Sequence, residues 1–164
     1  MPERFFCLRK VRKRPKNVRI DNMISQKKLN QLKKYFAAQL VDAVYLFGSQ
    51  ATGKNTKLSD ADLAVLFKKG LSKSRRFDLR LDIIGEVCGI LQKERVDVMD
   101  LQEAPLRFRY QAILPGKVIL VKNRKRMIAL EKDILKKYLD LKPYFYHIAQ
   151  RQMELTAEGG FAYE

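Results

Sequence analysis

A chain of 164 residues is long enough to bury one substantial core and short for two domains. Its 46% hydrophobic and 32% charged residues fit a folded soluble protein rather than a disordered one. No apolar run approaches the roughly 20 residues that cross a bilayer, which excludes a membrane span. The basic start lacks the apolar stretch of a secretory signal. Cys7 and Cys88 give neither a disulfide framework nor a metal-binding spacing, so the expected setting is a reducing cytoplasm. His147 is the only histidine, which excludes paired-histidine catalysis and any multi-histidine zinc site.

In chain order, residues 1–22 come first. They carry Arg4, Arg9, Lys10, Arg12, Lys13, Arg14, Lys16 and Arg19 against Glu3 and Asp21, a local balance of +6 out of +16 for the whole chain. The segment reads as a flexible basic extension that the core does not require. Ser25 is placed to cap a helix over about 26–39, with Leu29, Leu32, Phe36 and Leu40 on one stripe. Residues 41–47 read as a buried strand ended by Gly48. A short helical turn over 49–53 and a polar loop over 53–57 lead to a second strand over about 60–67.

The spacing predicts a long helix over 74–92, with Phe77, Leu81, Ile84, Val87, Cys88 and Leu91 near helical intervals. RVDVMDL, 95–101, reads as a third strand. Pro105 fits the first turn of a helix ending near Gly116, 117–121 a fourth strand, and 125–142 a further helix. Pro143 either breaks that helix or begins a last one through 144–155. The pattern is α/β (α+β), with a mixed central sheet flanked by helices. It divides into an extension at 1–22, a core at 23–122, C-terminal helices at 123–158 and a frayed tail at 159–164.

Residues 46–63, LFGSQATGKNTKLSDADL, carry the chemistry. Gly48 and Ser49 close one apolar run, and Asp60-Ala61-Asp62 opens the next. Alternate strand residues share a face, so Asp60 and Asp62 project together. Paired carboxylates repel unless a cation lies between them, and magnesium is favoured where phosphates complete its shell. A glycine turn offering N–H groups and a hydroxyl beside that pair is a phosphate site. Metal-dependent chemistry on a nucleoside triphosphate is the resulting expectation, and it calls for a third acid. Asp97 and Asp100 have opposite parity, so only one faces Asp60 and Asp62. Asp97, between Val96 and Val98, is the favoured candidate; Asp100, near the strand's end, suits a turn or cap.

On these residues the chain resembles the minimal nucleotidyltransferases of the DNA polymerase beta superfamily. Phe47-Gly48-Ser49, ten residues, Asp60-Ala61-Asp62 and then Val96-Asp97-Val98 follow that family's pattern. Thr52 departs from it, standing where members commonly carry an arginine, and Lys57 or Lys54 is the candidate substitute. RVDVMDL, APLRFRYQAILPGKVIL and YLDLKP are similar to the antitoxin-type members paired with HEPN-domain toxins. The resemblance implies a polymerase beta-like fold, catalytic and metal-ligating roles for Asp60, Asp62 and Asp97, and nucleotide contacts from Gly48, Ser49 and Lys57. It also implies two Mg²⁺ ions and transfer of AMP from ATP to a tyrosine of a HEPN-type toxin.

A small-molecule or RNA-end acceptor, and a non-catalytic antitoxin acting by binding alone, stand as alternatives. Residues 107–137 carry ten basic residues against two acidic ones, a balance of +8. That surface suits an acidic partner or nucleic acid. Tyr144, Phe145, Tyr146 and His147 read as packing or as a partner-docking face.

Overall fold

The structure, a computed structural model, describes residues 24–48, 60–114 and 116–157. In chain order the elements are α1 (Gln26–Ala38), β1 (Val41–Phe47), β2 (Ala61–Phe67), α2 (Lys73–Leu91), β3 (Val96–Asp100), α3 (Leu106–Ile113), β4 (Lys117–Val121) and α4 (Arg124–Ala157). Ser25 caps α1, its hydroxyl accepting from the Lys28 amide at 3.4 Å. Ser72 caps α2 in the same way through the Arg75 amide at 3.2 Å. Pro105 occupies the cap position of α3, where its missing N–H costs nothing.

The four strands form one mixed sheet in the order β3-β2-β1-β4. β1 pairs antiparallel with β2 and with β4, while β2 and β3 run parallel. The parallel pair needs a crossover, and α2 supplies it. The alternation of side chains sorts the core into two clusters. Val44, Leu46, Leu63, Val65 and Val98 face Leu32 and Phe36 of α1 and Ile83 and Val87 of α2. Ala43, Tyr45, Ala64 and Leu66 face Ala112 of α3 and Met127 and Ile134 of α4. Full burial of side chains such as Leu32 and Phe36 contributes about 1.5–3 kcal/mol each, which is what holds α1 to the sheet.

A bulge between Val41 and Ala43 shifts the β1 register at Asp42. Asp42 is buried, and Arg126 of α4 donates to its carboxylate and to the Phe67 carbonyl. One arginine thus ties α4 to both central strands.

Three expectations change. Leu40 lies beyond the end of α1 and is exposed, because the chain turns into β1 there. On α2 the buried stripe is Leu79, Ile83, Val87 and Leu91; Phe77 and Leu81 face solvent. Pro143 neither breaks nor starts a helix: α4 passes through it. The residues around Pro143 are exposed, so water can satisfy the carbonyl freed by its missing N–H. The extension at 1–22, the turn and loop at 49–57 and the tail at 159–164 lie outside the described residues.

Candidate active site

β1 ends at Phe47, whose register partner on β2 is Asp62. The turn at Gly48 therefore passes directly over the Asp62 carboxylate. Gly48 has φ +73°, and a Cβ there would lie 1.9 Å from Asp62 Oδ2. Only glycine satisfies both the left-handed backbone and the space. Sequence spacing alone suggested a backbone approach to phosphate; the close approach visible here is to a carboxylate.

Asp62 is in register with Asp97 on the parallel strand β3. Register neighbours point to the same face, and adjacent strands lie about 4.8 Å apart. Both aspartates share the parity of the α3/α4 side, with Ala64 and Leu66 following on β2 and Met99 on β3. Asp60 stands just ahead of β2 and is exposed, as is Asp97; Asp62 is half-buried. Burial pushes the Asp62 carboxyl above the usual carboxylate range, and the charges of Asp97 and then Asp60 push it further. Among the described residues no lysine or arginine forms an ion pair with any of the three.

Asp100 behaves differently. It is buried on the opposite parity, and Arg76 Nε donates to its Oδ2 at 2.7 Å. Its Oδ1 accepts from the Gln102 amide at 2.8 Å, closing the turn after β3. Arg76 also donates to Glu103 at 2.5 Å. Asp100 is thus committed to structure, while Asp97 is left facing Asp62.

The donor chemistry suits a divalent cation. Asp60, Asp62 and Asp97 are hard oxygen donors whose mutual repulsion a cation would relieve. The raised proton affinity of Asp62 comes first from burial and then from that repulsion. Among the described residues, however, no three carboxylate, imidazole or thiolate groups are gathered closely enough to hold an ion by themselves. Asp62 and Asp97 are aligned, and Asp60 at the open end of β2 completes the set only by approaching them. Asp60 and Asp97 also border an open groove of about 350 Å³ on the α2 side of the sheet edge, with Ile84, Cys88, Glu94, Arg95 and Val96; Asp62 does not line it. Ser49 and Lys57, the other expected nucleotide contacts, lie outside the described residues.

Residues 30–125, more than half of the chain, match the family described as Polymerase beta, Nucleotidyltransferase. The chain belongs to that nucleotidyltransferase family. Its mixed sheet flanked by helices is the family's fold, and the activity class is nucleotidyl transfer. None of the curated proteins matches the chain.

Among solved structures, the chain is similar to a toxin–antitoxin crystallised with AMP-PNP, at 23% identity and a TM-score of 0.62 over 76% of this chain and 98% of that one. A Y104A mutant of an MntA–HepT toxin–antitoxin matches at 25% identity and 0.61, over 76% and 96%. A Shewanella oneidensis complex of tri-AMPylated HEPN toxin with MNT antitoxin matches at 21% and 0.57, over 77% and 96%.

Proposed function

We propose that the protein transfers AMP from ATP to a tyrosine hydroxyl of a HEPN-type toxin, silencing it, in the cytoplasm. The observation that carries the reaction is the stack of Gly48 on Asp62 beside Asp97, in a chain of the nucleotidyltransferase family. The acceptor is supported by the likeness to the AMPylated toxin–antitoxin complex. The basic surface over 107–137 would steer such a partner if the partner is acidic.

In this reading Asp60, Asp62 and Asp97 would hold two Mg²⁺ ions, whose charge would neutralise the triphosphate and lower the pKa of the acceptor hydroxyl. The turn at Gly48 and the Ser49 hydroxyl donate to the β- and γ-phosphates, and Lys57 supplies a cation where Thr52 replaces the expected arginine. Asp97, exposed on the edge strand, takes the hydroxyl proton as general base. The acceptor oxygen bonds to the α-phosphorus as the bond to pyrophosphate breaks, and pyrophosphate leaves. Positioning and charge neutralisation supply most of the acceleration.

The test is incubation of the protein with Mg²⁺, each labelled nucleoside triphosphate and a HEPN-type toxin, read by mass spectrometry. An AMP adduct on a toxin tyrosine is expected. Absence of any adduct on the toxin, with ATP bound, would exclude this acceptor.

A further inference from the structure

α4 carries an apolar seam that runs past the domain it packs on. Met127 and Ile134 are buried against the sheet. Tyr138 follows, stacked on Tyr110 of α3 with ring centroids 3.6 Å apart and planes 7° apart. From Ile134 onward the seam continues through Tyr138, Leu141, Phe145, Ile148, the one polar position Gln152, and Leu155 at alternating intervals of four and three. An average interval of 3.5 residues is the signature of a helix that packs along another helix, since a straight helix repeats at about 3.6.

Inside the domain the sheet and α3 take up that seam. Beyond Tyr138 nothing among the described residues does: Leu141 is 43% exposed, Phe145 36% and Ile148 40%. From Leu141 to Leu155 the seam beyond Tyr138 spans about 21 Å of helix, with Leu155 half-buried at its end. It leaves the domain on the α3/α4 side of the sheet, the side toward which Asp62 and Asp97 project.

The flanks say what fits there. Lys137, Tyr144 and Arg151 border the seam on one side, and Lys142, Ala149 and Thr156 on the other. Neither flank holds an acid. Lys137 and Arg151 each meet an acid on their own helix, Asp133 at 2.8 Å and Glu154 at 3.5 Å. Both pairs are exposed, and such pairs hold weakly. A second copy packed parallel would set Lys137 against Lys142, and one packed antiparallel would set Lys137 against Arg151. Flanking charges of one sign disfavour self-pairing and select a partner of the opposite sign.

We propose that this segment of α4 docks a helix of the partner protein, apolar along its own heptad seam and acidic on its flanks. The identification of that partner as the AMP acceptor rests on the function proposed above; the seam itself does not. A helix seated there would lie on the catalytic side of the sheet, which would hold the acceptor near the carboxylates by continuity rather than by affinity for the groove.

The test uses the full chain and two synthetic three-heptad peptides, both with leucine along the seam, one with glutamate and one with lysine on the flanks. Titration calorimetry without nucleotide should show the glutamate peptide binding at least about tenfold more tightly than the lysine peptide. The doubly substituted L141D/I148D chain should lose that binding by about tenfold or more, and Ile148→Leu should keep it. Circular dichroism should show both variants folded, since these positions are solvent-facing. Equal binding of the two peptides, no binding, or binding that survives L141D/I148D overturns the proposal. So does a dimer of the full chain at micromolar concentration that L141D/I148D dissociates, because it hands the seam to a second copy. None of these outcomes bears on AMP transfer, which is read separately.

Discussion

Gly48→Ala separates the two demands placed on one residue. The first is backbone strain: a left-handed alanine costs about 1–2 kcal/mol relative to glycine, or about 2–8 °C in Tm for a chain of this size. The second is collision. The new Cβ would sit 1.9 Å from Asp62 Oδ2, 1.5 Å short of the 3.4 Å at which ordinary contact begins. The carboxylate must swing away by that amount, and a displacement of about 1 Å at a reacting centre costs on the order of 100-fold in rate.

Gly70→Ala provides the control. Gly70 has φ +89° and nothing within 4 Å of an added Cβ, so it carries strain without collision. Urea unfolding and AMP transfer measured on both variants should show similar losses of stability. Transfer should fall about 100-fold in Gly48→Ala and stay within about twofold of the parent in Gly70→Ala. Parental activity in Gly48→Ala would refute the placement of Asp62 at the centre of the chemistry.

Asp97→Asn should abolish transfer with little change in unfolding free energy. Asp100→Asn should lower stability by about 3 kcal/mol, because it leaves Arg76 short of its buried partner; urea melts with transfer assays separate the two. Arg126→Ala strands the buried Asp42 and should cost about 3 kcal/mol by the same measurement.

In metal-free buffer Asp62→Asn should raise stability at neutral pH. The folded carboxyl holds its proton more tightly than the unfolded one, so the native state binds more protons in the window between the two values. Stability therefore falls as pH rises through that window, and the gain from Asp62→Asn should vanish as pH drops below the usual carboxylate range. A pH series of urea melts checks the sign.

Much of the fold was legible because each strand is a short apolar run bounded by a turn residue or a charge. β1 and β4 fall on 41–47 and 117–121, as the sequence predicts. α2 offered two overlapping apolar stripes, one through Phe77, Leu81 and Ile84 and one through Leu79, Ile83 and Val87. Only packing selects the second, and its partners include Leu32 and Phe36 of α1, which lie far upstream in sequence. Strand order depends on the same kind of distant pairing.

The parity of VDVMD left Asp97 and Asp100 as alternatives; Arg76, twenty-four residues upstream, donates to Asp100 in the structure and so favours Asp97 as the third carboxylate. The collision that fixes Gly48 could be sensed as a turn glycine, but its partner Asp62 appears only once β1 and β2 pair. The heptad on α4 was present in the sequence throughout. The proline at 143 obscured it by suggesting two helices, although that residue lies off the seam.

Nucleotide transfer is proposed to depend on Asp60, Asp62 and Asp97. Pyrophosphate release from ATP and Mg²⁺ in the presence of a HEPN-type toxin, measured for the parent and Asp97→Asn with matched toxin adduct by mass spectrometry, tests it most directly. Stoichiometric pyrophosphate and AMP adduct from the parent, with neither from a folded Asp97→Asn, is the predicted result. Equal yields from the two proteins would contradict it.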